Sequence, residues 1–172
     1  MTSFRVLPRL AIVVAFLLLP VFQQTEAAEP AELAGKVVRV YDGDTIKVES
    51  VGKVRLIGID TPEFKASSRD RFYQRQGISP DTLRSTARRA RTFNIDHARG
   101  KRVRLTLDHQ HRDRYDRILA YVYLPDGRLL NRLLLEEGLA SVYRRFSFRL
   151  KDDFLDTEAR ARSRGVGMWQ KQ

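Results

Sequence analysis

Apolar and polar positions change their period several times along this chain, and the changes mark out its elements. Leu10 to Phe22 is apolar throughout, broken only by Pro20. After a polar stretch, three short runs follow that read as strands. Lys36-Val37-Val38-Arg39-Val40-Tyr41 is rich in β-branched residues, and Thr45-Ile46-Lys47-Val48-Glu49 alternates apolar and polar. Val54-Arg55-Leu56-Ile57-Gly58-Ile59 follows a Gly52-Lys53 turn. Asp42-Gly43 between the first two runs is a tight-turn signal, so the three read as a meander. Residues 60–80 are polar and basic, contain Pro62, Gly77 and Pro80, and form a long loop of the kind that often carries function.

A helix starts at Ser79-Pro80-Asp81, with Ser as N-cap, Pro at the first helical position and Asp at the positive end of the dipole. Leu83, Ala87, Ala90, Asn94 and His97 share one face, flanked by Phe93, and Asn94 and His97 weaken its C-terminal end. Arg102 to Leu107 alternates cleanly, and Ile118 to Leu124 is apolar enough for a central strand. After a Pro125-Asp126-Gly127 turn a helix runs from Leu129 to Glu137 and ends at Gly138. A last helix, about 150–164, closes at Gly165. Five short strands with one helix between the third and fourth is the element order of a small OB-type barrel. The expected fold is therefore α+β, mainly a five-stranded OB-type barrel with three helices.

The apolar run near the N-terminus belongs to a different kind of segment. Arg5 and Arg9 precede it, and Thr25-Glu26-Ala27-Ala28 offers small residues after it. Residues 1–28 read as a signal peptide cleaved after Ala27 or Ala28, leaving one domain over 29–172 and an exported protein, periplasmic or extracellular. The run is short for a membrane span, which needs roughly 20 residues. An uncleaved N-terminal anchor is the alternative, and the only expected contact with a membrane.

Charge then adds a partner. The formal charge is +11, from 25 Arg and 7 Lys against 21 Asp plus Glu. Removing residues 1–28 leaves +10, so the basic character belongs to the domain and asks for an anionic partner. With 42% hydrophobic residues the chain is too apolar to be a disordered basic tail. It has no Cys, which excludes disulfides, Cys-ligated zinc, iron–sulfur clusters and a thiol nucleophile.

Two acidic clusters interrupt this basic background: Asp42-Gly43-Asp44-Thr45, and Asp60-Thr61-Pro62-Glu63 directly after a strand. Each alone is an ordinary turn sequence. Neighbouring strands of a meander bring both to one rim, where Asp44 and Asp60 would face each other across a hard-cation site. Oxygen ligands without His or Cys suit Ca²⁺ over zinc. Arg55, five positions before Asp60, and the cluster Arg112-Asp113-Arg114-Tyr115-Asp116-Arg117 supply guanidinium groups that bind phosphoryl oxygens bidentately. A dication, two arginines and a free carboxylate are the parts of a phosphodiester hydrolase.

In this order the motifs resemble the staphylococcal nuclease (thermonuclease) family, over roughly residues 34–170. They run from Val40-Tyr41-Asp42-Gly43-Asp44-Thr45 through Val54–Glu63 to Arg112–Tyr121. Asn131-Arg132 with Glu137-Gly138-Leu139-Ala140, and the final Gly165-Val166-Gly167-Met168-Trp169, continue the likeness. The resemblance implies an OB-type barrel and a calcium-dependent nuclease acting on DNA and RNA that leaves 3′-phosphate ends. It implies metal-binding roles for Asp44, Asp60 and the backbone carbonyl of Thr61, with Asp42 as an acid behind them. Glu63 stands at the proposed general base, and Arg55 and Arg117 at the two catalytic arginines. Tyr115 and Arg114 stand at phosphate contacts. A nucleotide-contacting tyrosine falls near Tyr143, in a register left open by Arg144, Arg145 and Phe146. No protein partner is implied, and a monomer is expected. A non-catalytic OB-type module that binds nucleic acid without cutting it is the alternative.

Two features depart from the family pattern. Asp116 stands where a glycine usually precedes the last arginine. Asp tolerates left-handed geometry, but its charge lies beside Arg117. The loop from Phe64 to Ser79 carries Lys65, Arg69, Arg71 and Arg75, and reads as either a solubilising loop or a substrate-tracking flap.

Overall fold

The computed structural model describes residues 32–170; the expected signal segment, residues 1–28, lies outside the described residues. Strands β1 (Glu32–Val40), β2 (Thr45–Val48) and β3 (Gly52–Leu56) form the antiparallel meander that the alternation predicts. β5 (Arg102–Arg112) and β6 (Ile118–Tyr123) form a second antiparallel pair. The two groups join at both edges. β3 pairs in parallel with β6, Val54 opposite Ile118, and the first half of β1 pairs with β5. The result is a closed barrel in the order β1-β2-β3-β6-β5.

Closure depends on one bent strand. β1 pairs with β5 over Glu32–Lys36 and with β2 over Val37–Val40, and its register shifts between Val37 and Arg39. Such an irregularity bends and twists a strand so that it can serve two neighbours. The interior is filled by Val37, Ile46, Val48, Val54, Leu56, Val103, Leu105 and Val122, each 1% exposed or less. β6 is buried along both faces because its outer side is covered by helices, with Tyr121 meeting Phe154 edge-on.

Three main helices pack around the barrel: α2 (Pro80–Ala98), α3 (Leu130–Glu136) and α4 (Lys151–Ser163). Ser79 caps α2 by accepting from the backbone N–H of Thr82, with Pro80 at the first position, as the sequence predicts. Ala98 completes its buried face, with Leu83, Thr86, Ala87, Ala90 and Asn94. His97 is only half-buried and stacks on Phe93. Asn131, fully buried in α3, accepts from Val122 N–H and donates to the carbonyls of Ile57 and Ala120. Its side-chain oxygen and nitrogen are thereby satisfied by backbone groups, as a buried polar side chain requires.

Four short elements among the described residues are additional to the predicted set, one of them a 3-10 turn at Gly167–Trp169. β4 (Ile59–Asp60) and β7 (Ser141–Val142) form a two-residue ladder, and α1 (Asp70–Gln74) lies inside the predicted loop. α1 is fixed by Tyr73, which is fully buried with Ile78, Leu83 and Met168 in a second small apolar cluster. The ion pair of Arg84 with Asp70, 2.7 Å, ties it to α2. Among the described residues no helix is long and apolar enough to cross a membrane.

Candidate active site

Closing the barrel brings the two acidic clusters to one rim. The first sits in the β1–β2 turn, held from below by α2. Asn94 donates to the carbonyl of Gly43 at 2.8 Å and to that of Asp42 at 3.3 Å. Gly43 is required by space: a Cβ there would lie 2.6 Å from Ala90 Cβ and 2.8 Å from the Thr61 side chain. Asn94 reads in the sequence as a weak point of a helix face. Its role comes from the β1–β2 turn, which lands on it from 52 and 51 residues away in sequence.

Asp44, Arg55 and Asp60 form the centre of the rim. β2 and β3 pair Thr45 with Arg55, which sets the Arg55 guanidinium between the two acids. Arg55 is ion-paired with Asp44, and its Nη2 lies 3.1 Å from Asp60 Oδ1. The other oxygen of Asp44 accepts from Thr61 N–H at 3.2 Å, and Asp44 Oδ1 accepts from Thr45 Oγ1 at 3.1 Å. The other oxygen of Asp60 meets Arg69 Nη2 at 2.5 Å and the Tyr73 hydroxyl at 3.0 Å. Both carboxylates are thus buried and fully engaged, which is the condition for keeping charge away from water.

Their protonation tendencies differ. Burial pushes Asp44 up, but Arg55, with the hydrogen bonds from Thr61 and Thr45, outweighs this and holds it below the usual carboxylate range. Burial and the charge of Asp44 push Asp60 up, against Arg69 and Arg55. Asp42 is pushed up to about 6 by burial and then by Asp44. Glu63 is raised by partial burial and by the charges of Asp44 and Asp60. Several acids crowd here, and some are pushed toward the neutral form. A bound cation relieves such crowding without a proton. The donor set is all oxygen, so the residues fit a hard divalent ion. Among the described residues no three Asp, Glu or His side chains form a metal cage; the converging pair is Asp44 and Asp60.

The second arginine comes from the β5–β6 hairpin. Asp113 grips Arg117 through Nε at 2.8 Å and Nη2 at 2.7 Å, and also accepts from the Arg117 and Tyr115 backbone N–H groups. Arg117 Nη1 reaches Thr45 Oγ1 at 3.2 Å, so a chain of contacts runs from Asp113 through Arg117 and Thr45 to Asp44. Asp116 adopts φ 60°, the left-handed geometry expected where it replaces glycine. Its carboxylate turns to Arg112 at 3.0 Å and not to Arg117. The acid beside Arg117 is Asp113, which the sequence offers only as one more charge in a basic cluster.

One cleft of about 520 Å³ gathers these groups. Asp42, Asp44, Arg55, Asp60, Glu63, Arg114, Tyr115, Arg117 and Tyr143 all line it. Tyr143, directly after β7, lines the cleft; its N–H bonds to Gly58 O at 2.8 Å and its ring lies under Arg69. Arg145 and Phe146 line the cleft beside it. Thr61 stands behind the lining, buried against Asp44. Glu63 is exposed and is the one member of the acidic clusters with neither a hydrogen bond nor an ion pair among the described residues. Arg69 and Tyr73 complete the surroundings of Asp60, although the sequence places them in an unstructured loop.

A barrel with paired carboxylates, two anchored arginines and one free carboxylate at its rim has the constitution of a phosphodiester hydrolase. Residues 53–171 match the family described as staphylococcal nuclease homologue. A thermonuclease of Staphylococcus hyicus is 32% identical over 174 residues, which covers 93% of this chain and 95% of the relative. An uncharacterized endonuclease of Escherichia coli is 37% identical over 139 residues, 79% of this chain and 78% of the relative. An uncharacterized protein of Methanocaldococcus jannaschii is 37% identical over 147 residues, 78% and 70% respectively. The chain belongs to the staphylococcal nuclease family, and with that membership comes its class of enzyme, a nuclease.

Proposed function

We propose that the protein is an exported, calcium-dependent nuclease that hydrolyses phosphodiester bonds of DNA and RNA and leaves 3′-phosphate ends. The observation that carries this reading is the division of labour among the rim charges. Arg55 and Arg117 are fixed in one cleft by buried or part-buried carboxylates, and Glu63 stands beside them unpaired.

Asp44 and Asp60, with the Thr61 carbonyl, would hold the cation, and Asp42 supports the turn by accepting from the Asp44 N–H at 3.0 Å. When bound, the cation supplies Lewis acidity toward a phosphoryl oxygen. Glu63 takes the proton of the attacking water as the new P–O bond forms. Its affinity for protons, raised by partial desolvation and by the charges of Asp44 and Asp60, makes it a better base than an isolated glutamate, provided it is ionised at the working pH. Arg55 and Arg117 neutralise charge gathering on the phosphoryl oxygens while the P–O5′ bond breaks. The leaving 5′ oxygen takes its proton from solvent. Arg114, Tyr115 and Tyr143 line the same cleft and position the neighbouring phosphates and bases.

The reading is tested with plasmid, single-stranded DNA and RNA incubated with Ca²⁺, with and without chelator, and with end-group analysis of the products. Cleavage that stops with chelator is expected. Glu63→Gln should lower the rate by at least ~10²-fold. Salt-sensitive binding with no product under any divalent ion would replace this reading with the non-catalytic binding module. Export through a cleaved signal is checked by the mass of the released chain, expected to start at Ala28 or Glu29.

A further inference from the structure

Beside the catalytic cleft lies a second pocket of about 400 Å³, most of whose charge has no use in the chemistry above. Six arginines line it: Arg69, Arg71, Arg75, Arg114, Arg144 and Arg145. No carboxylate lines it. We propose that this pocket is a second phosphate-binding subsite, which holds the polynucleotide backbone flanking the scissile bond. The proposal rests on the nuclease reading and adds a substrate-length dependence to it.

Three observations support it. The first is continuity. Arg69, Arg114, Tyr143 and Arg145 line both pockets, so a chain of phosphates can pass from one to the other without leaving positive surface. A polynucleotide is the anion that has charges at repeated spacing to fill both at once.

The second is unspent charge. The guanidinium groups of Arg71, Arg75 and Arg145 have no ion pair among the described residues. Arg144 does have one, with the buried Glu158, but the same carboxylate also serves Arg162 at 3.3 Å. Arg71 and Arg75 stand four residues apart on one helical turn, an arrangement that repels and weakens a helix. An anion between them removes that repulsion.

The third is that these charges are displayed from an anchored element. α1 is held by the Tyr73 hydroxyl on Asp60 and Ser141, by Arg84 on Asp70, and by Gln76 Oε1 accepting from Arg162 Nη2 at 2.5 Å. Arg71 and Arg75 are exposed on this fixed support. Tyr143, stacked with Arg69 at the junction, offers a face on which a base can rest.

The experiment compares two substrate lengths and two charge deletions. A dinucleotide reaches the cleft alone. A strand of about 10 nucleotides lies within the range typical of OB-fold sites and extends into the second pocket. The variant Arg71→Gln/Arg75→Gln removes two charges there. The control Arg88→Gln/Arg89→Gln removes two exposed charges from α2, outside both pockets. Binding of the longer strand, measured in chelator, should weaken about tenfold in the first variant near physiological salt, and its log–log salt slope should flatten by about 1.4. Its kcat/KM on the longer strand should fall about tenfold relative to the dinucleotide. The control should keep the wild-type ratio between the two lengths. Equal losses on both lengths, an unaltered salt slope, or the same effect from the control would each overturn the subsite. Failure of the nuclease reading looks different: wild-type protein then cleaves neither substrate.

Discussion

The catalytic cleft and the arginine pocket beside it share four wall residues, yet they differ in how the arginines that only one of them contributes are held. In the cleft every arginine assigned to chemistry is held by acids. Arg55 lies between Asp44 and Asp60, and Arg117 is gripped at two nitrogens by Asp113. In the neighbouring pocket no acid lines the wall, and Arg71, Arg75 and Arg145 carry no ion pair among the described residues. The difference separates two physical tasks. Stabilising charge that develops during a reaction needs a donor already in position, because reorganisation at that moment costs rate. Capturing a phosphate chain needs only net positive charge, and tolerates mobile side chains. Counter-charge, not the number of arginines, distinguishes Arg55 and Arg117 from Arg71, Arg75 and Arg145; Arg69 and Arg144, which also line the second pocket, are held by Asp60 and Glu158.

The sharpest way to break this comparison is to remove an anchored arginine. Arg117→Ala should lower kcat on a dinucleotide by at least ~10²-fold, with the loss persisting at high salt. If Arg117 merely contributed to the field, its loss would resemble removal of Arg71: modest, confined to long substrates, and erased by salt. Steady-state kinetics at two salt concentrations tells these outcomes apart. A loss confined to KM would remove Arg117 from the chemical step.

How far the sequence reveals this contrast depends on how local each signal is. The five barrel strands are legible because alternation, β-branched content and short apolar runs are properties of adjacent residues. The α2 cap is legible for the same reason, and Ser79 and Pro80 take the predicted positions. α1 is not legible, since its apolar residues Phe72 and Tyr73 are too few to set a period, and its stability comes from contacts with Leu83 and Met168. The two-residue ladder of β4 with β7 is too short to show a pattern. The acids and arginines of the cleft stand out as residue types in ordered motifs. Their supports do not. Asn94, Tyr73 and Asp113 are ordinary in local sequence, and gain their roles from partners 52, 13 and 4 residues away. The pairing of carboxylates with particular arginines is likewise a product of strand register, which motif order alone does not specify.

A smaller effect probes the anchor itself. Asp113→Asn keeps an oxygen for the backbone N–H groups but removes the charge that holds the Arg117 guanidinium. The expected result is a fall in kcat of about tenfold with KM nearly constant, as for a positioning residue. A rise in kcat would mean that Asp113 withholds Arg117 from phosphate, and the anchoring argument would then fail. The pair also has a pH signature. Burial pushes Asp113 up, but the Arg117 guanidinium and the backbone donors hold it below the usual carboxylate range. Its stabilising contribution is therefore complete above the ordinary Asp pKa of about 3.9, and is lost as pH falls through the lower folded value. The stability gap between wild type and Asp113→Asn, read by urea denaturation, should be present at neutral pH and close in strong acid.

The smallest expected effect tests whether any nearby acid would serve as well as Asp113. Asp116 is one residue from Arg117 in sequence, but its carboxylate faces Arg112, and both side chains of that pair are largely exposed, 86% and 52%. An exposed pair of this kind contributes between 0 and about 1 kcal/mol. Asp116 also occupies a left-handed conformation, φ 60°, which glycine adopts without steric cost. Asp116→Gly thus loses a weak ion pair and relieves a weak strain, while adding freedom to the unfolded chain. The terms oppose one another, and the net change in stability should stay within about 1 kcal/mol. Because the Asp113 grip on Arg117 is untouched, kcat should stay within about twofold of wild type. A tenfold change in either direction would show that charge near Arg117 matters regardless of which atoms it contacts, and the distinction between anchored and free arginines would lose its basis.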